Sequence, residues 1–150
     1  MHNSDERNLA AKIGWMLTGQ WIWHSLISLD EEYRERMEPG AAPYDMRLEA
    51  LKHLHDQGCK TWVSMEPYPT PNLIDQDLNE ILEAVSFADR IIFGRTNYSK
   101  EVTSGYPENK KFYNEKAKDV IDFCTSRKIA YHIKEKTITE WVQIIGLLIL

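Results

Sequence analysis

Polar and ionisable side chains end or follow four short apolar runs of this chain. The pairs are Ser28 and Asp30, Ser64 and Glu66, Arg95 and Asn97, and His132 and Lys134. Carboxylates accept hydrogen bonds from hydroxyl and ammonium groups, and an arginine fork can hold a carboxylate with two bonds. If the runs are parallel strands, their carboxyl ends meet at one edge, where α/β proteins bind their ligands. The pattern therefore predicts a ligand-binding rim rich in polar groups.

Several of these residues also have a structural interpretation. Ser28 or Asp30 can cap the helix that the following acidic residues begin, because both side chains accept bonds from free backbone N–H groups. A carboxylate at a buried strand end needs a partner, and Arg47 or Arg95 could supply one to Glu66. A structural ion pair is therefore as good an interpretation of Glu66 as a catalytic acid.

The histidines and cysteines do not predict a metal centre. His53 and His55 are two residues apart on a helix, so they do not share a face. His132 lies within the last apolar run, where we expect a hydrogen-bonded core histidine. Cys59 enters a predicted strand and Cys124 lies on the apolar face of a predicted helix, so both are expected to be reduced core thiols. The chain also has no phosphate-binding glycine loop, nucleophile elbow or HExxH motif.

The apolar runs alternate with helical patterns. Strands are predicted over residues 25–29, 60–66, 90–94 and 129–133. Helices are predicted over 44–57, 75–86 and 109–127, with a weak helix over 8–18. Most of the runs lack polar alternation, which suits strands buried on both faces of a parallel sheet. The repetition of strand and helix predicts right-handed βαβ units and an α/β fold.

Composition is that of an ordinary globular protein. The 150 residues are 43% apolar and 27% charged, with a net charge of −5. These values exclude a disordered chain and argue against a general nucleic-acid binder. The first residues show no signal-peptide cleavage pattern, and the apolar run over 141–150 is about half the length that a membrane helix needs. We therefore expect a cytoplasmic protein without a membrane span.

Four segments together resemble the radical S-adenosylmethionine (radical SAM) superfamily, in the branch similar to spore photoproduct lyase. They are SLD at residues 28–30, MEPGAAP at 37–43, RLEAL at 47–51 and SMEP at 64–67. The resemblance runs from about residue 26 to residue 136, and it implies a partial (β/α)6 TIM-like barrel of which this chain holds the C-terminal half. The implied organisation is an atypical N-terminal segment (1–24), the half-barrel (25–136) and an apolar C-terminal tail (137–150).

The resemblance also implies a cofactor. Family members cleave S-adenosylmethionine reductively at a [4Fe–4S] cluster held by a CxxxCxxC loop, which leaves one iron open for the cofactor. This chain has two cysteines and no such loop. It supplies no set of cluster ligands, and we expect it to bind no cluster.

Seven residues match positions on the cofactor rim of the family. They are Ser28, Asp30, Arg47, Ser64, Glu66, Arg95 and Asn97. Ser28 and Asp30 match the fourth-strand position that approaches the ribose. Arg47 matches a helix arginine that could clamp the methionyl carboxylate, for which a bidentate guanidinium is suited. The other four match the rims of the fifth and sixth strands.

The resulting prediction is a truncated radical SAM domain protein that is inactive alone. Without a cluster to anchor the ligand, we expect S-adenosylmethionine to bind with millimolar affinity at best, about −4 kcal/mol. Two alternatives remain open: a non-catalytic α/β interaction module, and one half of a split enzyme whose cluster half is a separate chain. A half-barrel leaves strand edges unpaired, so either self-association or a cluster-bearing partner chain is expected.

Overall fold

Four parallel strands form one sheet in the computed structural model, which describes residues 21–97 and 99–140. The strands, side by side in chain order, are β1 (Ile22–Ser25), β2 (Thr61–Tyr68), β3 (Arg90–Arg95) and β4 (Ala130–Ile133). The described helices are α1 (Glu31–Met37), α2 (Tyr44–Asp56), α3 (Leu78–Ala84), α4 (Lys100–Thr103) and α5 (Asn109–Arg127). The predicted α/β fold with parallel βα units is therefore confirmed.

Local sequence signals account for the helix boundaries. Asp30 and Asp77 cap α1 and α3, because each side chain accepts a bond from a backbone N–H of the first turn. After α2 the chain turns at Gly58, whose φ of 92° is readily adopted only by a residue without a side chain. Helices α2 and α5 match the predicted ranges 44–57 and 109–127 within one residue.

One face of the sheet carries the hydrophobic core. The register pairs Val63 with Ile91 and Met65 with Phe93, so these four side chains project from the same face. They are buried in one cluster with apolar residues from α2, α3, α4 and α5. The helices that build this core therefore pack on that face of the sheet.

The opposite face bears different residues, and we call it the open face. The register aligns Trp23, Trp62, Arg90 and Ala130 in one row, and Ser25, Ser64, Ile92 and His132 in the next. These side chains are exposed or half-buried in the part of the chain that the structure describes. The sequence predicts strands buried on both faces, but in the described residues the sheet is buried only on the face that carries the core.

The first strand differs from its prediction. The sequence predicts a strand over residues 25–29, whereas β1 spans Ile22–Ser25. The backbone N–H of Leu26 still donates to the Ser64 carbonyl (2.9 Å), but the chain then turns as Ser28 Oγ accepts from the Asp30 N–H (3.0 Å). Residues 26 and 27 are buried outside the sheet, so their apolar character reflects packing rather than strand formation. The expected boundary at residue 24 falls inside β1.

Some sequence predictions concern residues outside the described ranges. The weak helix over 8–18 and the apolar run over 141–150 are among them. Thr137 and Ile138, assigned by sequence to the tail, are buried, and Thr137 Oγ1 accepts a bond from the Arg95 N–H (3.2 Å). Among the helices of residues 21–97 and 99–140, none combines the length and the apolar composition that a membrane span requires.

Candidate functional site

A cleft of about 640 Å³ lies at the carboxyl ends of β2, β3 and β4, and we call it the rim cleft. Its lining residues come from the ends of these strands and the segments that follow them: Glu66, Arg95, Thr96, Asn97, Thr103, His132, Lys134, Glu135 and Lys136. This is the edge at which parallel α/β sheets bind ligands. Glu66, Arg95 and Asn97, three of the residues singled out by sequence, therefore line one site.

The wall of the rim cleft is held by a chain of hydrogen bonds. The hydroxyl of Tyr113, which is buried on α5, donates to the Tyr68 carbonyl at 2.6 Å. The same hydroxyl accepts from the Thr96 N–H at 3.2 Å, and Thr96 Oγ1 donates to the Tyr68 carbonyl at 3.3 Å. These bonds fix the end of β2 to the segment after β3, so the lining side chains start from a constrained backbone.

The Glu66 carboxylate forms the floor of the rim cleft. Lys134 Nζ lies 3.6 Å from Glu66 Oε2, so the ion-pair partner is neither Arg47 nor Arg95, the two arginines considered from the sequence. Lys134 follows β4, and its N–H bonds to the Phe93 carbonyl at 2.9 Å, which extends the pairing of β3 with β4. Both partners remain partly exposed, at 29% and 45% for Glu66 and Lys134. The carboxylate is thus accessible to a ligand.

The Arg95 guanidinium is held by residues of α5. Nη2 donates to Asn109 Oδ1 at 3.0 Å, and the guanidinium lies 5.4 Å from the centre of the Tyr113 ring. Nε is buried and has no hydrogen-bond partner among the described residues. An unmade bond of this kind is costly, so Nε is the least satisfied donor of this guanidinium.

The charges of the rim cleft define what it can hold. Arg95, Lys134 and Lys136 are cationic, and Glu66 and Glu135 are anionic. Cations therefore outnumber anions in the rim cleft, although the chain carries a net charge of −5. Cationic side chains bind carboxylate or phosphate, and the Glu66 carboxylate accepts from ammonium or hydroxyl groups. The arrangement suits a ligand that carries both kinds of group.

Ser64, Ser28 and Asp30 do not line the rim cleft. Ser64 lies on the open face two residues before Glu66. Ser28 is fully buried and accepts from the Asp30 N–H, while Asp30 Oδ1 accepts from the Tyr33 N–H at 2.7 Å as the cap of α1. Asp30 also lines a separate hollow of about 380 Å³ with residues 74–77. The capping interpretation is confirmed for Asp30, and contact of either residue with a ribose stays a prediction.

Arg47 is engaged within its own chain. It is 8% exposed, and its guanidinium donates to the Ala42 carbonyl (2.8 Å), the Ser25 carbonyl (3.0 Å) and both oxygens of Glu38 (3.3 Å). Burial and then the Arg47 charge lower the pKa of the nearby His24. The MEPGAAP and RLEAL segments thus form an internal clamp in which the carboxylate is that of Glu38. The clamping of a methionyl carboxylate by Arg47 stays a prediction.

The structure corrects the sequence interpretation of His132. This residue is exposed in β4 and lines the rim cleft, so the prediction of a core histidine is wrong. β4 is paired only with β3 among the described strands, and its open-face residues Ala130 and His132 are exposed. Thr103, Glu135 and Lys136 were missed as lining residues; the charged pair directly after Lys134 is the signal that could have indicated the last two.

The cysteines match the prediction of core thiols. Cys59 and Cys124 are both free and buried, and burial raises the pKa of the Cys124 thiol to about 11. In residues 21–97 and 99–140, no three His, Cys, Asp or Glu side chains are grouped as metal ligands. A raised pKa keeps the Cys124 thiol protonated near neutral pH, whereas a metal ligand is a thiolate.

Comparisons with known proteins show a weak similarity to a viral protein. No family model matches the chain, and no solved structure matches it. A segment of 61 residues is 34% identical to the uncharacterized protein ORF301 of Acidianus two-tailed virus, covering 41% of this chain. The match spans 20% of that viral protein's length. These comparisons assign no family or activity to the chain.

Proposed function

We propose that this chain is the ligand-binding half of a radical SAM-type partial barrel and binds S-adenosylmethionine in the rim cleft. The observation that carries the proposal is the parallel order β1-β2-β3-β4, with the core helices on one face and polar side chains at the carboxyl ends. Right-handed crossovers that always step in the same direction place their helices on one side, as in (β/α) barrels. In such a barrel the open face would be the interior.

The rim cleft fits the polar groups of S-adenosylmethionine. The methionyl carboxylate would bind to the cations Arg95, Lys134 or Lys136. The buried Nε of Arg95, which has no partner in the part of the chain that the structure describes, is a donor that such an anion would satisfy. The Glu66 carboxylate would accept from the methionyl ammonium or the ribose hydroxyls. A few charge-assisted bonds hardly offset the entropy lost on binding, so the expected affinity is in the millimolar range.

The residues present do not fit a [4Fe–4S] cluster. A site-differentiated cluster needs three thiolates, and this chain has two cysteines, both buried. We therefore assign no radical step to this chain. In the split-enzyme alternative, a cluster would belong to a partner chain that completes the barrel.

Ligand-observed NMR with S-adenosylmethionine tests the proposal. The wild-type chain should bind with a dissociation constant of order 10⁻³ M. Glu66→Gln and Lys134→Met should each weaken binding roughly tenfold, because each removes one charge-assisted contact. Lys52→Met is the matched control, since Lys52 is exposed on α2 and pairs with Asp56. The absence of binding up to the solubility limit of the ligand, or equal weakening by Lys52→Met, would contradict the proposal.

A second candidate function is a non-catalytic interaction module. The observation in its favour is the aromatic part of the open face, where Trp23 is 52% exposed and stacks on Trp62 with ring centroids 4.8 Å apart. Exposed tryptophans are unusual on a surface that meets only water, and are enriched at binding surfaces. Under this alternative the chain would associate through the open face and would not respond to S-adenosylmethionine.

A further inference from the structure

Gly94 is the buried glycine of β3 on the otherwise open face of the sheet. The described glycines with positive φ are Gly40 and Gly58, and a side chain added at either would meet nothing within 4 Å. Gly94 is not one of these, and its strand backbone does not itself require glycine. The reason for glycine at this position must therefore be sought in the space around it.

That space is filled by Glu66. A Cβ at residue 94 would lie 2.9 Å from both Cγ and Cδ of Glu66 and 3.1 Å from Oε1. Carbon atoms in contact normally stay about 3.5–4.0 Å apart, so the two side chains exclude one another. The Glu66 side chain therefore packs against the backbone of β3, in the space that a side chain at position 94 would occupy.

This placement lets residues from two non-adjacent strands meet. β2 and β4 lie on opposite sides of β3, so their backbones are about 10 Å apart, twice the usual strand spacing. Glu66 reaches across from β2 and Lys134 reaches back from the end of β4, bringing Oε2 and Nζ within 3.6 Å. The pair forms directly over the strand between them, where a side chain would obstruct it.

We propose that Gly94 is a positioning residue: it opens a passage over β3 in which Glu66 and Lys134 pair, and so fixes the Glu66 carboxylate on the floor of the rim cleft. The passage keeps the Glu66 carboxylate close to the backbone of β3, and this leaves the rest of the rim cleft for a ligand. It also directs one carboxylate oxygen toward Lys134 and leaves the rest of the group as an acceptor. Only the identity of that ligand rests on the function proposed above.

Gly94→Ala should act on Glu66 rather than on the fold. The atoms that a methyl group would meet are Cγ, Cδ and Oε1 of the half-buried Glu66 side chain, which can move away by rotation about its Cα–Cβ bond. Such a rotation would separate the Glu66 carboxylate from Lys134 and move the carboxylate further into the rim cleft. A ligand that depends on Glu66 would then lose both its acceptor and part of its space.

A double-mutant cycle tests the inference. Wild type, Gly94→Ala, Glu66→Ala and the double variant are compared by ligand-observed NMR with S-adenosylmethionine, by thermal unfolding, and by the resonances of ¹³C-labelled lysine side chains. Gly94→Ala should shift the Lys134 resonances and weaken ligand binding roughly three- to tenfold in the wild-type background. In the Glu66→Ala background it should change neither the Lys134 resonances nor ligand binding, because the obstructing side chain is gone, and it should not lower the unfolding temperature.

Two outcomes would overturn the inference. Equal effects of Gly94→Ala in both backgrounds would show that the glycine acts through the backbone, and unchanged Lys134 resonances in the single variant would show that the pair does not depend on it. Coupling seen in the resonances and in thermal unfolding without any binding of S-adenosylmethionine would support the positioning role of Gly94. That same result would overturn the proposed function, so the two failures are distinguishable.

Discussion

Single residues of one chemical type serve different purposes in this protein. Arg47 and Arg95 are both arginines near strand ends, but Arg47 is 8% exposed and donates to Glu38 and two backbone carbonyls. Arg95 lines the rim cleft, and its buried Nε–H has no partner within residues 21–97 and 99–140. What distinguishes them is whether the chain satisfies the guanidinium itself. An arginine with donors to spare is the better candidate for ligand binding.

Arg47→Ala should therefore destabilise the fold. Its loss leaves the Glu38 carboxylate and the Ser25 and Ala42 carbonyls without a donor, at a cost of about 2–4 kcal/mol in the free energy of unfolding. Lys52→Ala on the same helix removes an exposed ion pair with Asp56 and should cost less than about 0.5 kcal/mol. Urea denaturation followed by circular dichroism measures both. Similar values for the two variants would contradict the internal clamp.

At the scale of elements, the turn between β1 and α1 shows how a helix start can resemble a binding motif. Ser28 and Asp30 lie where a ligand-binding rim was expected, and their oxygens accept from backbone N–H groups at the start of α1. A helix start and an anion-binding loop use the same exposed N–H groups. Residue type and position alone do not tell the two roles apart.

Two substitutions at Asp30 separate these roles. Asp30→Ala removes the cap and should lower the free energy of unfolding by about 1 kcal/mol, whereas Asp30→Asn keeps an acceptor oxygen and should have little effect. Thermal or urea unfolding gives this comparison. If Asp30 also contacts a ribose through its charge, Asp30→Asn should weaken binding of S-adenosylmethionine while leaving stability unchanged. Equal stability of the wild type and Asp30→Ala would exclude the capping role.

At the scale of the whole molecule, the sheet is covered unevenly. Its core face is buried under four helices, whereas the described open face combines the Trp23 and Trp62 rings with polar groups near the rim cleft. Trp21, immediately before β1, is 42% exposed. The Arg90 guanidinium stacks on the Trp21 ring, 4.9 Å from the ring centre. Such a surface favours association with a second copy or with a partner chain.

We expect the purified chain to self-associate through the open face. Sedimentation velocity over a concentration series should show a shift from monomer to larger species. Trp23→Ser should raise the dissociation constant about tenfold or more, because aromatic side chains at the centre of an interface contribute strongly to affinity. Met46→Ser is the control, since Met46 is 58% exposed on α2, one of the helices on the core side of the sheet. A monomer at every concentration would contradict the expectation.

The sequence by itself determined the elements that depend on local order. Helices α2 and α5 follow from apolar residues repeating at helical spacing, and the α/β class follows from the alternation of helices with short apolar runs. It also indicated that Glu66, Arg95 and Asn97 belong to one rim, because parallel strands end at a common edge. These are properties of neighbouring residues and of the direction of the chain.

Only the tertiary structure decided what each side chain meets. Glu66 pairs with Lys134 across the passage that Gly94 leaves, His132 is exposed rather than buried, and β1 begins three residues before its prediction. Each depends on strand register and on which face the helices cover, and both are set by contacts between residues far apart in the chain. Hydrophobic periodicity indicates that a residue is buried, but it does not indicate which other residues cover it.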